Sequence, residues 1–352
     1  MRDFLLIGHG LAGAVLSQKL LANNHTIRVF DQPEKNNSSS VAAGLFNPVT
    51  GRKMVKTWMA DELFPEIEPT YADFEEKLRT KFLHKIGIYR PFIDAAEQND
   101  WEGKKTDPVF QKFIDSVARQ SIKEFQLNDT YGGLHLSLSG FLDIPTFLKE
   151  NREYLIGKNS YEEKEFDESQ MKISKNGISY QNQLYKRIVF CNGLHASKSQ
   201  FFNWLPFSPV KGEVLLGKVE RSIPKIYNRG IFIVPAGEKE IKVGATYRNN
   251  YSDDQPTKEG QKELLDKLAA LFAEKFELIE VKAGLRPATK DRRPFIGKHP
   301  EYEHIYLFNG FGSKGVSLVP YFAKNFVMFL EDKASLNGDV DIHRYYSLHE
   351  NA

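Results

Sequence analysis

The chain has 352 residues, which is long enough for two domains or for one domain with a large insertion. Hydrophobic residues at 41% and charged residues at 27% are ordinary for a soluble globular protein. A net charge of +2 gives no strong basic field for nucleic-acid binding, although it leaves room for a local patch. The single cysteine, Cys191, excludes an internal disulfide and predicts a cytoplasmic protein. No stretch approaches the ~20 apolar residues of a membrane span.

The first thirty residues carry the clearest local pattern. Residues 4–7 form a continuous apolar run, as expected of a parallel strand that is covered on both faces. Residues 11–22 place apolar side chains near helical spacing, and residues 26–30 predict a second strand that ends at Asp31. The sequence therefore begins with a strand–helix–strand unit, whose crossover we expect to be right-handed.

The rest of the chain predicts a less regular order of elements. Residues 61–126 are charged and aromatic and are predicted to be mostly helical, whereas residues 171–190 predict a hairpin that leads into a strand. We then predict strands at 213–216, 230–235 and 241–246, a helix at 257–276, a strand at 305–308 and a final helix at 316–329. Elements typical of dinucleotide binding stand at both ends, so the nucleotide domain is predicted to be discontinuous.

The glycines of the first turn form the pattern G-x-G-x-x-G between the predicted strand and helix, the context in which it indicates a dinucleotide site. Gly8 allows a tight turn, Gly10 lets a pyrophosphate approach the backbone, and Gly13 lets helix and strand pack closely. The helix N-terminus offers free N–H groups to the phosphates. Asp31, about 20 residues on, is placed to accept hydrogen bonds from ribose hydroxyls. We expect the intervening His9 to be an exposed loop residue.

The first motif does not distinguish an FAD site from an NAD site. A second strand–turn–helix junction, at residues 307–315, favours FAD. Its glycines would aim another helix N-terminus at an electron-rich group. A flavin needs such a site, because two-electron reduction places negative charge near N1 and C2=O. Lys314 would add a full positive charge there. The alternative is a glycine-rich turn with a solvated lysine.

With these segments in order, the chain resembles the FAD-dependent D-amino-acid-oxidase superfamily, which includes glycine oxidase, sarcosine oxidase and D-amino-acid dehydrogenases. The resemblance extends through nearly the whole chain. Beyond the two glycine-rich junctions, it rests on Ser-Val-Ala-Ala-Gly at 40–44, Gly-Phe-Leu-Asp at 140–143, Val-Phe-Cys-Asn-Gly at 189–193, Pro-Val-Lys-Gly-Glu at 209–213, Val-Gly-Ala-Thr at 243–246, Gly-Leu-Arg-Pro at 284–287 and Asp-Arg-Arg-Pro-Phe-Ile-Gly at 291–297. It is strongest to the FAD-dependent oxidoreductase domain of the bifunctional tRNA methylaminomethyl-uridine biosynthesis enzyme, in which arginine stands at the position of Lys314.

The resemblance implies FAD as the cofactor and an α/β fold, with a Rossmann-like FAD-binding domain and an inserted α+β substrate domain on a mostly antiparallel sheet. We predict that the FAD-binding domain comprises residues 1–80, 131–205 and 283–352, and that the substrate domain comprises residues 81–130 and 206–282. The predicted FAD contacts are Gly8, Gly10, Leu11, Ala12, Gly13, Asp31, Gln32, Ser40, Ala42, Ala43, Gly44, Cys191, Asn192, Gly193, Gly310, Gly312, Ser313, Lys314 and Gly315. Because Cys191 ends a buried strand, where cysteine behaves as a small hydrophobe, we expect FAD to be held non-covalently.

Arg286 is the predicted substrate-recognition residue. In glycine oxidase and D-amino-acid oxidase, the arginine of the matching Gly-x-Arg-Pro segment binds the substrate carboxylate. A guanidinium does this through a bidentate, charge-assisted pair, and the alternative is an ion pair with Asp291. Tyr247 and Lys314 are further candidates for the catalytic site. For Tyr247 the alternative is an exposed or core tyrosine.

The predicted reaction is oxidation of the C–N bond of an amino acid or of a carboxylate-bearing secondary amine, by hydride transfer to flavin N5. One alternative is a stand-alone oxidoreductase for a carboxymethylaminomethyl group on a tRNA wobble uridine, which the net charge does not favour. A basic rim around the pocket would support it. Another alternative is an FAD-binding scaffold without turnover. We expect no metal site, because no metal-ligand spacing is present, and the sequence does not indicate an oligomeric state.

Overall fold

The computed structural model describes residues 1–32, 38–51 and 53–350. No helix in these ranges is both long and apolar enough to cross a membrane. The helices of the described residues are α1 Leu11–Ala22, α2 Ser38–Val41, α3 Ala60–Leu78, α4 Ala95–Lys104, α5 Ile144–Gly157, α6 Lys258–Leu271, α7 Gly315–Leu330 and α8 Tyr346–His349.

The strands of the described residues are β1 Arg2–Ile7, β2 Ile27–Asp31, β3 Leu45–Phe46, β4 Val49–Thr50, β5 Val55–Lys56, β6 Leu83–His84, β7 Ile88–Pro91, β8 Ile114–Ala118, β9 Gly133–Leu136, β10 Gly140–Leu142, β11 Tyr161–Glu163, β12 Lys172–Ser174, β13 Gly177–Tyr180, β14 Gln183–Phe190, β15 Val210–Val219, β16 Ile226–Asn228, β17 Phe232–Pro235, β18 Glu240–Gly244, β19 Phe276–Arg286, β20 Phe295–Lys298 and β21 Ile305–Asn309. Most of them belong to two sheets of eight strands each.

The first sheet has a parallel centre in the order β11-β2-β1-β14-β21. Strands β12, β13 and β20 extend it by antiparallel pairing. The apolar residues of its central strands β1, β2, β14 and β21 are mostly buried, as expected where helices cover a parallel sheet. On one side α7 packs against α1 and α3 and contributes Phe322 and Phe326 to the largest core cluster. This is the Rossmann-like half of the predicted fold.

The second sheet has the order β19-β15-β18-β17-β16-β7-β9-β8 and is antiparallel except where β16 pairs with β7. Helix α6 covers part of it and begins after Thr257, whose side chain accepts a hydrogen bond from the Gly260 amide as an N-cap. A mostly antiparallel sheet was predicted for the substrate domain, and the structure has one.

The division of the chain into domains remains a prediction, and the strand pairing differs from it at two boundaries. We placed residues 131–205 in the FAD-binding domain, but β9 pairs with β7 and β8 in the second sheet. The strand β19 also continues past the predicted boundary at 283. Both deviations arise because strand pairing depends on contacts that are distant in sequence.

Local predictions were most accurate at the two ends of the chain. The initial strand–helix–strand unit, the hairpin before β14 and the final helix are confirmed to within one or two residues at most ends. The prediction that residues 61–126 are mostly helical was wrong outside α3 and α4, because this range also contains β6, β7 and β8. The strand β16 was missed, and the helix predicted to reach residue 276 ends at Leu271.

Candidate active site

A cavity of about 1700 Å³ is lined by residues of both sheets, and we call it the central cavity. Its lining includes residues 8–12, 41–47, 191–195, 284–287 and 311–317. This volume exceeds the 300–1,000 Å³ that is usual for small-ligand pockets, so the space is large enough for a dinucleotide together with a substrate.

Most of the predicted site residues meet in this cavity. Four do not line it: Gly13, Ser40, Gly310 and Tyr247. The predicted residues that line it are Gly8, Gly10, Leu11, Ala12, Asp31, Gln32, Ala42, Ala43, Gly44, Cys191, Asn192, Gly193, Arg286, Gly312, Ser313, Lys314 and Gly315. The two glycine-rich junctions, more than 290 residues apart in the chain, therefore face the same space.

The turn between β1 and α1 requires its glycines for steric reasons. Gly8 has a φ of +96°, and a Cβ there would lie 2.8 Å from the Asn192 Cα. A Cβ on Gly13 would lie 2.0 Å from the Gly8 carbonyl oxygen. Gly13 thus lets α1 pack against the turn, as predicted, and this packing keeps it out of the cavity lining.

The N-terminus of α1 opens into the cavity. The Leu11 amide donates to the Ser39 hydroxyl at 3.1 Å, and a Cβ on Gly10 would lie 3.1 Å from the same oxygen. The structure therefore brings Ser39 to this helix end, whereas we had selected Ser40 from a run of three serines. The following amides of the first turn have no intrahelical acceptor by position, which suits a phosphate group.

Asp31 stands at the end of β2, on the cavity wall. One carboxylate oxygen accepts from the His9 amide at 2.8 Å and the other from the Tyr161 hydroxyl at 3.2 Å. Burial raises the pKa of Asp31, and the His9 amide partly opposes this shift. Both oxygens keep further lone pairs for ribose hydroxyls.

His9 is buried, so the expectation of an exposed loop residue was wrong. Its Nε2 lies 2.8 Å from the Asn151 side-chain nitrogen, which places it under α5. Burial, with the nearby Arg152 charge, lowers the pKa of His9 to about 3. The imidazole is therefore neutral at physiological pH.

The end of β14 lines the cavity beside the turn between β1 and α1. Asn192 has a buried side-chain oxygen with no hydrogen-bond partner among the described residues, although it lines the cavity. Burial raises the pKa of the Cys191 thiol, which keeps it protonated. An unreactive thiol beside an unsatisfied acceptor is suited to binding a polar cofactor without a covalent bond.

The second glycine-rich turn is held by Asn309. Its side chain donates to the Gly193 carbonyl at 2.8 Å and accepts from the Gly310 amide at 2.7 Å. Gly310 has a φ of +79° and faces Thr289 and Phe295, so its role is in the turn rather than in the cavity lining. This turn aims the N-terminus of α7 at the cavity.

Lys314 precedes α7, lines the cavity and donates weakly to the hydroxyls of Thr50 and Thr57 at 3.3 and 3.4 Å. Burial and the charges of Arg293 and Arg292 lower its pKa. Its side chain has no carboxylate partner among the described residues.

These observations fit FAD. The glycine turn leaves backbone accessible to a pyrophosphate, Asp31 offers ribose acceptors, and Asn192 carries an unsatisfied acceptor. Gly8 to Ala12 with Ser39 would hold the phosphates, and Lys314 with the α7 N-terminus would face the flavin ring.

Arg286 lies at the end of β19, and its guanidinium lies over Gly212 of the adjacent strand. A Cβ on Gly212 would come within 2.1 Å of a guanidinium nitrogen, so this position must be glycine for Arg286 to adopt its conformation. Contacts of 3.4 Å to the Thr246 carbonyl hold the group. Asp291, the alternative partner, pairs instead with Arg344 at 3.0 Å, and Arg286 has no ion pair among the described residues.

Tyr247 does not line the cavity, and 58% of its surface is exposed. The preceding Thr246 is buried. The Tyr247 ring still lies 5.7 Å from the Arg286 guanidinium carbon. Tyr251, which we did not select, lines the cavity instead.

Arg90, Arg152 and Arg229 also line the cavity and were missed. No local motif surrounds them, so only their long-range packing reveals them. Arg90 pairs with Glu97 at 2.7 Å, and Arg229 donates to the Phe92 carbonyl at 3.0 Å.

Comparisons with known proteins agree with this site. The family model described as DAO, FAD dependent oxidoreductase, matches residues 3–327. A glycine oxidase of Bacillus licheniformis is 35% identical over 118 residues, which is 32% of this chain and 32% of that relative. The tRNA 5-methylaminomethyl-2-thiouridine biosynthesis bifunctional protein MnmC of Idiomarina loihiensis is 26% identical over 148 residues, covering 40% of this chain and 24% of that relative. The matched segment thus spans about a third of the glycine oxidase and less of the bifunctional protein.

Among solved structures, iminodiacetate oxidase from Chelativorans sp. BNC1 superposes with a TM-score of 0.79 over 97% of this chain and 98% of that one, at 19% identity. At this identity the likeness shows the fold alone, and it confirms the predicted α/β class. The family match covers nearly the whole chain and confirms FAD as the cofactor. The chain therefore belongs to the DAO family of FAD-dependent oxidoreductases.

Proposed function

We propose that this protein oxidises the C–N bond of an amino acid or of a carboxylate-bearing secondary amine. The observation that carries the proposal is Arg286, a guanidinium on the cavity wall with no ion-pair partner among the described residues. Burial lowers the pKa of Arg286, and a bound carboxylate would offset the cost of burying its charge. Bound FAD supplies the two-electron acceptor.

The chain's own residues place the substrate. A bidentate pair with Arg286 fixes a small carboxylate in one orientation, which holds the adjacent C–H bond on the flavin side of the cavity. No dedicated base is needed if the amine is deprotonated when it binds. The oxidised C–N bond is an imine, and water hydrolyses it to a carbonyl compound and an amine or ammonia.

A tRNA substrate is the second candidate, favoured by the match to MnmC. The cavity lining carries charged residues of both signs, with Arg152, Lys164 and Lys198 among Glu165, Glu168 and Asp254. A basic rim around the pocket would favour RNA binding, and the acidic residues of the lining weaken it.

Anaerobic flavin bleaching tests the proposal directly. Glycine, N-alkylglycines and carboxymethylaminomethyl-uridine nucleosides are mixed in turn with the FAD-loaded protein, and the loss of flavin absorbance is followed. We expect bleaching by at least one carboxylate-bearing amine. Bleaching by simple amines alone would contradict the carboxylate requirement, and bleaching by the nucleoside alone would favour the tRNA candidate.

Arg286→Lys tests the role of the guanidinium. The variant keeps the charge but loses the bidentate geometry, so flavin reduction should slow by about a hundredfold as the reacting carbon is misplaced. FAD occupancy and the melting temperature should stay near the wild-type values. Arg248→Lys, at an exposed arginine that pairs with Glu263 outside the cavity lining, is the matched control. Equal rates in both variants would contradict the assignment.

A further inference from the structure

Like Arg286 and Lys314, Arg229 is a cation of the central cavity without an ion-pair partner among the described residues. It follows β16, is half-buried and lines the cavity. One guanidinium nitrogen donates to the Phe92 carbonyl at 3.0 Å, and no ion pair involves it within the described ranges. The carbonyl fixes the side chain but does not neutralise its charge.

The charged groups around Arg229 compensate its charge only in part, because burial and Arg90 outweigh the attraction of Glu97 and Asp129. Arg90 lies close enough to lower the pKa of Arg229, although burial is the larger cause. Glu97 attracts Arg229 but is paired with Arg90 at 2.7 Å. Asp129 accepts from the Tyr89 hydroxyl and the Ile122 amide, both at 2.9 Å. A half-buried guanidinium in this setting gains most from an anion that arrives with a ligand.

The strand order of the second sheet gives the approximate backbone distance between Arg229 and the site of the Arg286 guanidinium. The Arg286 guanidinium lies over Gly212 of β15, and Arg229 follows β16. Between these strands lie β18 and β17, so three strand spacings of ~4.8 Å give a separation of ~14 Å at the backbone. The Arg229 guanidinium bonds to the Phe92 carbonyl, which follows β7 on the far side of β16, so the two charged groups lie at least this far apart.

The sheet surface between the two arginines is apolar in character and faces the cavity. Val214 pairs with Gly244, Gly244 with Phe232, and Phe232 with Asn228, and all four residues line the cavity. A ligand that spans the two arginines would therefore lay an apolar spacer across Val214 and Phe232. The free amino acid glycine, as a substrate, would occupy only the part of this surface next to Arg286.

We propose that Arg229 binds a distal anion of the substrate, so that the preferred substrates are elongated amines with a carboxylate at the reacting end, an apolar spacer, and a second carboxylate or a phosphate at the far end. The inference rests on the proposed function, because Arg286 holds the near carboxylate. It assigns to Arg229 a role in selecting substrates and not in the chemical step.

The first test compares matched amines on the FAD-loaded protein. N-(carboxypentyl)glycine, its phosphonate counterpart and N-hexylglycine share one spacer length and differ in the terminal group. We expect kcat/KM for flavin reduction to favour at least one dianion over N-hexylglycine by about ten- to a hundredfold, as a charge-assisted contact implies. Arg229→Gln should abolish this ratio, Arg229→Lys should keep part of it, and Arg248→Gln should keep all of it.

The second test measures binding without turnover. 6-(Carboxymethylthio)hexanoate carries sulfur in place of the amine nitrogen, and its affinity is compared with that of the monoanion (hexylthio)acetate by titration calorimetry. We expect the wild type to bind the dianion about ten- to a hundredfold more tightly than the monoanion. Arg229→Gln should bind the two with equal affinity.

The outcomes separate the inference from the proposed function. A dianion-to-monoanion ratio that is the same in wild type and Arg229→Gln, by both measurements, overturns the distal site. Preference for the phosphonate over the dicarboxylate supports the site and identifies a phosphorylated substrate. If no amine bleaches the flavin but the thioether dianion binds through Arg229, the proposed amine oxidation fails while the anion site stands.

Discussion

The charged residues of the central cavity divide into paired and unpaired groups. Arg90 is paired with Glu97, whereas Arg286 and Lys314 donate hydrogen bonds only to carbonyl or hydroxyl oxygens among the described residues. Because an unpaired, partly buried charge is costly, such groups are the ones expected to meet ligands. At the residue scale, the side chains expected to bind ligands are therefore the charged ones that have no ion-pair partner among the described residues.

Lys314→Met should lower the reduction potential of bound FAD. A cation near the flavin stabilises the reduced anion, so its removal should shift the potential by tens of millivolts, where about 30 mV corresponds to ~1.4 kcal/mol for two electrons. Potentiometric titration with a reference dye measures the shift. Lys324→Met is the control, because Lys324 lies further along α7 and pairs with Glu66 at 2.6 Å. An equal potential in wild type and Lys314→Met would place the ammonium away from the flavin.

The buried His9 should make stability fall in mild acid. Its pKa of about 3 in the folded state lies below the ~6.5 of an unfolded chain, so only the unfolded state takes up the proton between these values. The free energy of unfolding should therefore decrease as the pH falls from about 6.5 toward 3, by at most ~1.4 kcal/mol per pH unit from this group. Urea denaturation at a series of pH values measures this slope.

His9→Gln should flatten that slope while keeping an acceptor for Asn151. His343→Gln, at an exposed histidine, should leave it unchanged. If His9→Gln and wild type lose stability in parallel as the pH falls, another group causes the acid sensitivity.

At the scale of elements, the site depends on close approaches that only glycine permits. Gly13 lets α1 meet the turn after β1, and Gly212 of β15 pairs with Gly284 of β19 beneath the Arg286 guanidinium. The strand register thus places two glycines opposite each other beneath the Arg286 side chain. Because Gly212 has no Cβ, the guanidinium can lie against the strand, so the position of Arg286 depends on both strands.

Gly212→Ala should reproduce part of the Arg286 defect without touching Arg286. The new methyl group would come within 2.1 Å of the guanidinium, which can move because it is the far end of a flexible side chain. kcat/KM for the carboxylate substrate should fall about ten- to a hundredfold, since ~1 Å of misplacement can cost about a hundredfold in rate. Steady-state kinetics and FAD occupancy check this. Gly103→Ala, whose Cβ would meet open space in α4, is the control, and a fall in kcat/KM there as well would contradict the explanation.

For the whole molecule, the cavity joins the two sheets, so cofactor binding should stabilise both together. At an FAD concentration of 100 times Kd, the free energy of unfolding should increase by about 2.7 kcal/mol. Differential scanning calorimetry of apoprotein and FAD-loaded protein should show one transition moving upward. Riboflavin, which lacks the pyrophosphate and adenosine, should have a smaller effect. Two transitions, of which FAD moves only one, would show that the sheets unfold independently.

The sequence alone determined the parts of this protein that depend on neighbouring residues. The apolar run of β1, the glycine turn, α1 and β2 follow one another in the chain, so pattern and spacing predicted them and their dinucleotide role. The same holds for β21, its glycine turn and α7. The resemblance to a known family then supplied the order of the remaining segments, including Arg286.

Only the tertiary structure decided what depends on distant segments. His9 is buried beside Asn151 of α5, and the position of α2 brings Ser39 to the N-terminus of α1. Tyr247 lies outside the cavity lining, and its role stays a prediction. Arg229 reaches the cavity because β16 pairs with β7, a contact across more than 130 residues. Such pairings are set by the packing of the whole chain, because a local pattern specifies which face of a strand is apolar but not which strand lies beside it.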